Sequence, residues 1–252
     1  MIPRITATAR LMAVILFFSA FVAQAGVVID GTRVVYPEGK REVSIPIRNN
    51  SSQPSLVQTW LDNGNPMAQP DQDDVPFVLS PPLLRLNPEK SQHLRLVYTQ
   101  KPLPQDRESL FWLSVLDVPA KIETGVENGS RLDLAFRHRI KVFFRPQTLE
   151  GTAIEAHKKI VWELHRTDEG KWLVKASNQS AFHVNLVALV LKTPEGQSVS
   201  VTVDMLPPFS SQRFALANGS QLPSDEPVEI TYVFLNDQGG EVLAHARIEK
   251  QR

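Results

Sequence analysis

The chain of 252 residues contains no cysteine. That excludes disulfides, thiolate metal sites and a cysteine nucleophile, although exported proteins often rely on disulfides. Stability must come from hydrophobic cores instead. Net charge is also missing, because 27 Lys and Arg balance 27 Asp and Glu. No overall field therefore favours nucleic acid or a membrane surface. There is no phosphate-cradling glycine loop, no His-Glu-x-x-His and no Gly-x-Ser-x-Gly, which removes the common nucleotide, zinc-protease and serine-hydrolase signatures. The six histidines, His93, His138, His157, His165, His183 and His245, show no ligand spacing. His157 and His165 read as surface residues. Asp71, Asp73 and Asp74 cluster between prolines, but the EF-hand glycine and terminal glutamate are missing, so a solvated loop fits better than a calcium site. Asn178-Gln179-Ser180 is a triplet of a kind that arises by chance. No metal or cofactor is expected.

Long apolar runs are scarce too, with one exception at the start. Arg4 and Arg10 flank the beginning of Leu11 to Val22, and Ala23-Gln24-Ala25 fits the small-x-small cleavage rule. Residues 1–25 are therefore expected to be a signal peptide that is removed, leaving Gly26 as the first mature residue. The run is too short for a transmembrane helix, which needs about 20 residues. The leader carries two arginines and no acids, so the mature chain has 25 basic against 27 acidic side chains, a net of about −2.

Helical spacing is hard to find over any window of a dozen residues. Short β-branched runs and turn residues are plentiful. Val27 to Tyr36 is followed by the turn Pro37-Glu38-Gly39-Lys40, and Val43, Ile45 and Ile47 alternate until Asn49-Asn50-Ser51-Ser52. Leu56 to Leu61, Phe77 to Leu79, Leu94 to Tyr98 and Leu110 to Val118 continue the series. After Pro146 a second series begins with Ile160-Trp162-Leu164 and closes with Val242-Ala244-Ala246. This predicts an all-β protein of two immunoglobulin-like sandwiches, residues 26–146 and 147–252.

The stretch Arg131 to Pro146 stands out. Leu132, Leu134, Phe136, His138, Ile140, Val142 and Phe144 occupy even positions, while most odd positions are charged. A period of two predicts one strand with an apolar and a charged face. At ~3.3 Å per residue it would span roughly 50 Å. A strand that outruns its sheet is a candidate binding element. Two cations also draw notice: Arg33, alone in the uncharged run Thr32 to Tyr36, and Lys141 on the charged side of the long strand. Either they are exposed strand residues, or both face a cleft and bind a carboxylate. Periodicity alone leaves both readings open.

Leu103-Pro104-Gln105-Asp106-Arg107-Glu108-Ser109-Leu110-Phe111-Trp112, followed by Val118-Pro119, resembles the signature of PapD-like periplasmic pilus-assembly chaperones. Similar matches follow the family's order: Gly31 to Pro37, Ser80 to Leu86, Arg139 to Pro146 and Asn236 to Gly240. The resemblance covers essentially the whole mature chain and is more specific in the first half. It implies two domains set at an angle with a cleft between them. It also implies a non-enzymatic function: binding pilus subunits by donor-strand complementation in the periplasm and delivering them to an outer-membrane usher.

Residue by residue, the resemblance implies that Arg33 and Lys141 hold the subunit's C-terminal carboxylate. Leu132, Leu134 and Phe136 would fill its groove, and Glu108, Arg145 and Asp237 would form an interdomain ion cluster. The proline pair Pro81 and Pro82 would include a cis-proline. The dozen residues between Pro119 and Leu132, with no cysteine, resemble the short-loop branch that builds rod-like pili. His138 departs from the family pattern and is expected beyond the deepest pockets, near the anchor. The sticky strand raises self-association of the subunit-free form. The alternative is an exported carbohydrate-binding or adhesive module, which calls for aromatics at loop tips; Trp60, Trp112, Trp162 and Trp172 instead lie in strand patterns. A secreted hydrolase lacks its nucleophile and metal motifs.

Overall fold

A computed structural model describes residues 26–70, 72–120, 134–168, 170–192, 196, 198–216 and 228–248. The leader, Leu132 and the segment that prompted the short-loop assignment lie outside these residues.

Nine strands build the first sandwich. One sheet has the order β1 (Val27–Ile29), β3 (Val43–Asn49), β7 (Ser91–Tyr98), β5 (Phe77–Ser80). The other has the order β2 (Arg33–Pro37), β9 (Phe136–Arg145), β8 (Ser109–Pro119), β4 (Ser55–Asp62), β6 (Leu83–Leu86). The run from Val27 to Tyr36 is thus two strands in different sheets. Alternate residues point between the sheets and pack into a core around Tyr36, Ile47, Leu94, Leu96, Leu113, Val142 and Phe144. Tyr36 takes its hydroxyl into this core because the Lys40 and Arg41 carbonyls accept from it at 2.9 and 3.1 Å.

The second sandwich joins β10 (Ile160–Arg166), β11 (Trp172–Asn178) and β15 (Ser210–Ala215) to a second sheet. That sheet comprises β13 (Ser198–Val201), β12 (Val184–Lys192), β16 (Val228–Leu235) and β17 (Glu241–Ile248), with β14 (Met205–Leu206) beside β12. A one-stretch 3-10 helix, Ala153–Lys159, precedes β10; strand patterning gave no sign of it. The two sandwiches share a corner device. Asn49 and Asn178, both buried, each donate to backbone carbonyls and accept from a serine two residues on. Buried amides are kept only when so satisfied, which gives the Asn178-Gln179-Ser180 triplet a structural use.

Two expectations change here. The described strand begins at Phe136, and Leu134, expected within it, precedes it without regular structure; Arg131 to Asp133 lie outside the described residues. Of the two cis-proline candidates it is Pro81 that has the cis bond, on the peptide from Ser80. His157 is not a surface residue. Its ring stacks on Phe234 with centroids 4.4 Å apart, its Nδ1 lies 2.9 Å from the Tyr232 hydroxyl, and burial pushes its pKa down.

Candidate functional site

Strands β2 and β9 run parallel, and their register sets Arg33 directly opposite Lys141. The next pair, Val34 and Val142, is buried in the first core. Alternation therefore turns Arg33 and Lys141 to the other face, toward the second domain. There Lys141 Nζ donates to Asn185 Oδ1 at 2.8 Å, at the start of β12. Burial pushes the Lys141 ammonium pKa down; Asp204 counters this, and Arg33 pushes it down further. Burial likewise lowers Arg33, with Asp237 opposing. Arg33 Nε is buried without a hydrogen-bond partner. Two adjacent half-buried cations, one with an unused N–H, are chemically suited to a carboxylate, which would answer both charges through charge-assisted hydrogen bonds.

The same face carries a row of stacked cations and indoles. Lys141 Nζ lies 5.5 Å and Arg139 Cζ 4.2 Å from the Trp112 ring centre, and Arg137 Cζ lies 4.9 Å from that of Trp60. Arg139 also pairs with Asp62, whose side chain is fully buried. These contacts hold the charged side of β9 flat on β8 and β4.

The opposite edge of β9 is different. Its pairing with β2 covers Arg33–Pro37 against Lys141–Arg145 and no further. From Phe136 to Ile140 the described strand pairs with β8 alone. The backbone groups on the other side of these five residues form an open edge that ends at the cation pair. Leu134 and Phe136 are 52% and 54% exposed there, and His138 is exposed between Phe136 and Ile140.

Glu108, Arg145 and Asp237 meet at the domain junction. Arg145 Nε donates to Glu108 Oε1 at 2.7 Å, and its two terminal nitrogens donate to Asp237 at 2.7 and 2.8 Å. The hydrogen bonds from Arg145 hold the Asp237 carboxyl below its usual range, and its two acidic partners hold Arg145 above its own. The turn Asn236 to Gly240 delivers Asp237. Asn236 Oδ1 accepts from Gln238 and Gly240 N–H, and Gly239 sits at φ +82°. A Cβ on Gly239 would come within 2.3 Å of Thr32 Oγ1, so this glycine also permits the close approach of the two domains.

Sequence reading missed His183, Asn185 and Asp204. His183 gives both its backbone N–H (2.8 Å) and its ring Nδ1 (3.1 Å) to Glu108 Oε2. The available signal was two polar residues, His183 and Asn185, at alternate positions in the apolar run Phe182 to Leu191. Of the acidic loop cluster, Asp73 accepts from Asn63 N–H and Asp74 pairs with Lys101, as loop residues do; Asp71 lies outside the described residues.

Residues 26–150 match the family model described as the PapD N-terminal domain of pili and flagellar-assembly chaperones, and residues 155–246 match the PapD C-terminal domain. The chain belongs to the PapD family of pili-assembly chaperones. It is 38% identical over 239 residues to the chaperone protein HifB of Haemophilus influenzae, covering 91% of this chain and 93% of that one. It is 36% identical over 226 residues to the probable fimbrial chaperone YadV of Escherichia coli K12, covering 89% and 90%. The crystal structure of YadV superposes with a TM-score of 0.75 at 33% identity, covering 88% of this chain and all of that one. A solved structure of the Salmonella enterica SafA pilin in complex with the SafB chaperone gives 0.70 at 26% identity over 88% and 95%. The chaperone is thus a binding protein and not an enzyme. The carbohydrate-module reading is not favoured: Trp60, Trp112, Trp162 and Trp172 all sit in strands, the first and third of them buried.

Proposed function

We propose that this chaperone is exported to the periplasm, captures pilus subunits on the open edge of β9, and passes them to an outer-membrane usher. A subunit lacking one strand exposes an apolar groove and two unpaired edges, which would otherwise aggregate. The β9 backbone pairs with those edges while Leu132, Leu134 and Phe136 enter the groove. At ~25 cal/mol per Å², each large side chain contributes roughly 1.5–3 kcal/mol. Arg33 and Lys141 hold the subunit's terminal carboxylate and so fix the register. A slip of one residue would turn every side chain to the wrong face.

The observation that carries this reading is the cross-strand pair Arg33–Lys141, half-buried, with an unused guanidinium N–H, at the end of an open strand edge. The SafA–SafB complex supports pilin binding by a relative of the same fold. The test uses a synthetic peptide of a subunit's last strand, once with a free C-terminal carboxylate and once as the amide. The acid is expected to bind at least tenfold more tightly, since charged hydrogen bonds are worth about 1.5–3 kcal/mol. Equal binding would remove the anchoring role. Pull-down from periplasm identifies the subunit and usher partners.

A further inference from the structure

Asp117 is a carboxylate in a row of core residues. It lies on β8 two positions after Val115, and only 2% of it is exposed. Its Oδ2 accepts the Val27 N–H at 2.9 Å, while its Oδ1 is buried with no hydrogen-bond partner. Among the described residues no lysine, arginine or histidine pairs with it. A buried carboxylate without a counter-charge is strongly unfavourable, so the site calls for a cation.

The start of the mature chain lies against this carboxylate. Val27 is paired with Asn49, and the Gly26 carbonyl accepts from Asn50 N–H at 3.1 Å, so Gly26 is fixed from its C-terminal side. A Cβ on Gly26 would fall 2.2 Å from Asp117 Oδ2 and 3.4 Å from its Cγ. The Gly26 nitrogen shares that Cα and stands on the order of 2.5 Å from the Cβ position. It is therefore a near neighbour of the carboxyl group.

We propose that removal of the leader creates the missing cation: the α-ammonium of Gly26 forms an ion pair with the buried Asp117. This rests on the export reading above and on cleavage after Ala25. A leader-removing peptidase adds water across the Ala25–Gly26 amide. The C–N bond breaks, hydroxyl goes to the Ala25 carbonyl carbon and hydrogen to the Gly26 nitrogen. The new amine takes a further proton at neutral pH, because α-amino groups titrate near 7.7–8. Before cleavage the same nitrogen is a neutral amide, and Asp117 stays uncompensated. The precursor is consequently less stable than the mature chaperone, which suits a chain that must cross a membrane unfolded. The 2.2 Å approach also explains glycine as the first residue, since any side chain would displace the carboxylate.

The experiment compares the mature chain beginning at Gly26 with the same chain carrying one extra N-terminal alanine, each with and without Asp117→Asn. The extension is expected to lower the folding equilibrium constant on the order of tenfold with Asp117 present, and to do little in the Asp117→Asn background. No loss, or the same loss in both backgrounds, overturns the proposal. Should Asp117→Asn fail to fold, titration of the α-amine in the parent decides: an apparent pKa above the ordinary α-amino range is expected, and an ordinary value overturns the ion pair. Mass determination of the exported protein's first residue separates the two premises. A start elsewhere than Gly26 overturns the ion pair but leaves subunit capture intact.

Discussion

Arg33 and Lys141 stand opposite each other across two strands, and each is discharged more easily than in water. A pair so arranged costs the free chaperone something and gains only when an anion arrives. Arg33→Ala or Lys141→Ala should therefore abolish subunit co-purification while the variant alone unfolds at the same or higher urea concentration. Loss of folding in both variants would contradict this. The pH dependence has a definite sign. Lys141 has a folded pKa below its ordinary 10.5, so the unfolded chain binds the proton more tightly. The cost is full at neutral pH and fades as pH rises toward 10.5. A Lys141→Met variant should exceed the parent in stability at pH 7, and the gap should narrow by pH 10 in parallel urea titrations. The cations themselves were legible as charges out of place in strand patterns. Their partner Asn185 was not, because 44 residues separate it from Lys141 and only the fold joins them.

The strand β9 divides by which neighbour each part has. From Lys141 to Phe144 it is a core strand with partners on both sides; from Phe136 to Ile140 it has β8 on one side only. Substitution at the open end should separate binding from folding. Phe136→Glu removes an exposed side chain, so unfolding should change by no more than about 0.5 kcal/mol. Subunit affinity should fall by roughly 1.5–3 kcal/mol, tenfold or more, from lost burial alone. Titration calorimetry with a subunit peptide measures it, and unchanged affinity would remove Phe136 from the binding face. The charged face has the opposite character. Asp62 is fully buried against Arg139, so Asp62→Ala should destabilise the domain by about 1–3 kcal/mol in urea unfolding. The alternation that marked this strand was readable because a period of two survives wherever one face is buried. Its start within the described residues was not, because the period of two runs on through Leu134, which the structure leaves outside the sheet.

At the scale of the molecule, two sandwiches could be counted from strand runs and the break after Pro146. Their mutual orientation could not, because it depends on contacts as remote as Arg145 with Asp237, 92 residues apart. The bidentate pair, Glu108 beneath it and the two N–H groups of His183 on Glu108 tie β9 to both β12 and the β16–β17 turn. If this cluster sets the cleft, then removing one acid should loosen the domains without unfolding either. Asp237→Ala is expected to raise the radius of gyration in small-angle scattering at neutral pH while the circular dichroism of the strands is retained. Acid should act on the parent in a defined window. Asp237 has a folded pKa below its ordinary 3.8, so its contribution is fully present above 3.8 and is lost only as pH falls through the depressed value. The parent should therefore keep its compact radius from pH 7 to about 4 and expand only below that. The Asp237→Ala variant should be expanded throughout and show no such step. A parent that opens well above pH 4, or a variant as compact as the parent, would mean that apolar contacts rather than this cluster hold the two domains at their angle.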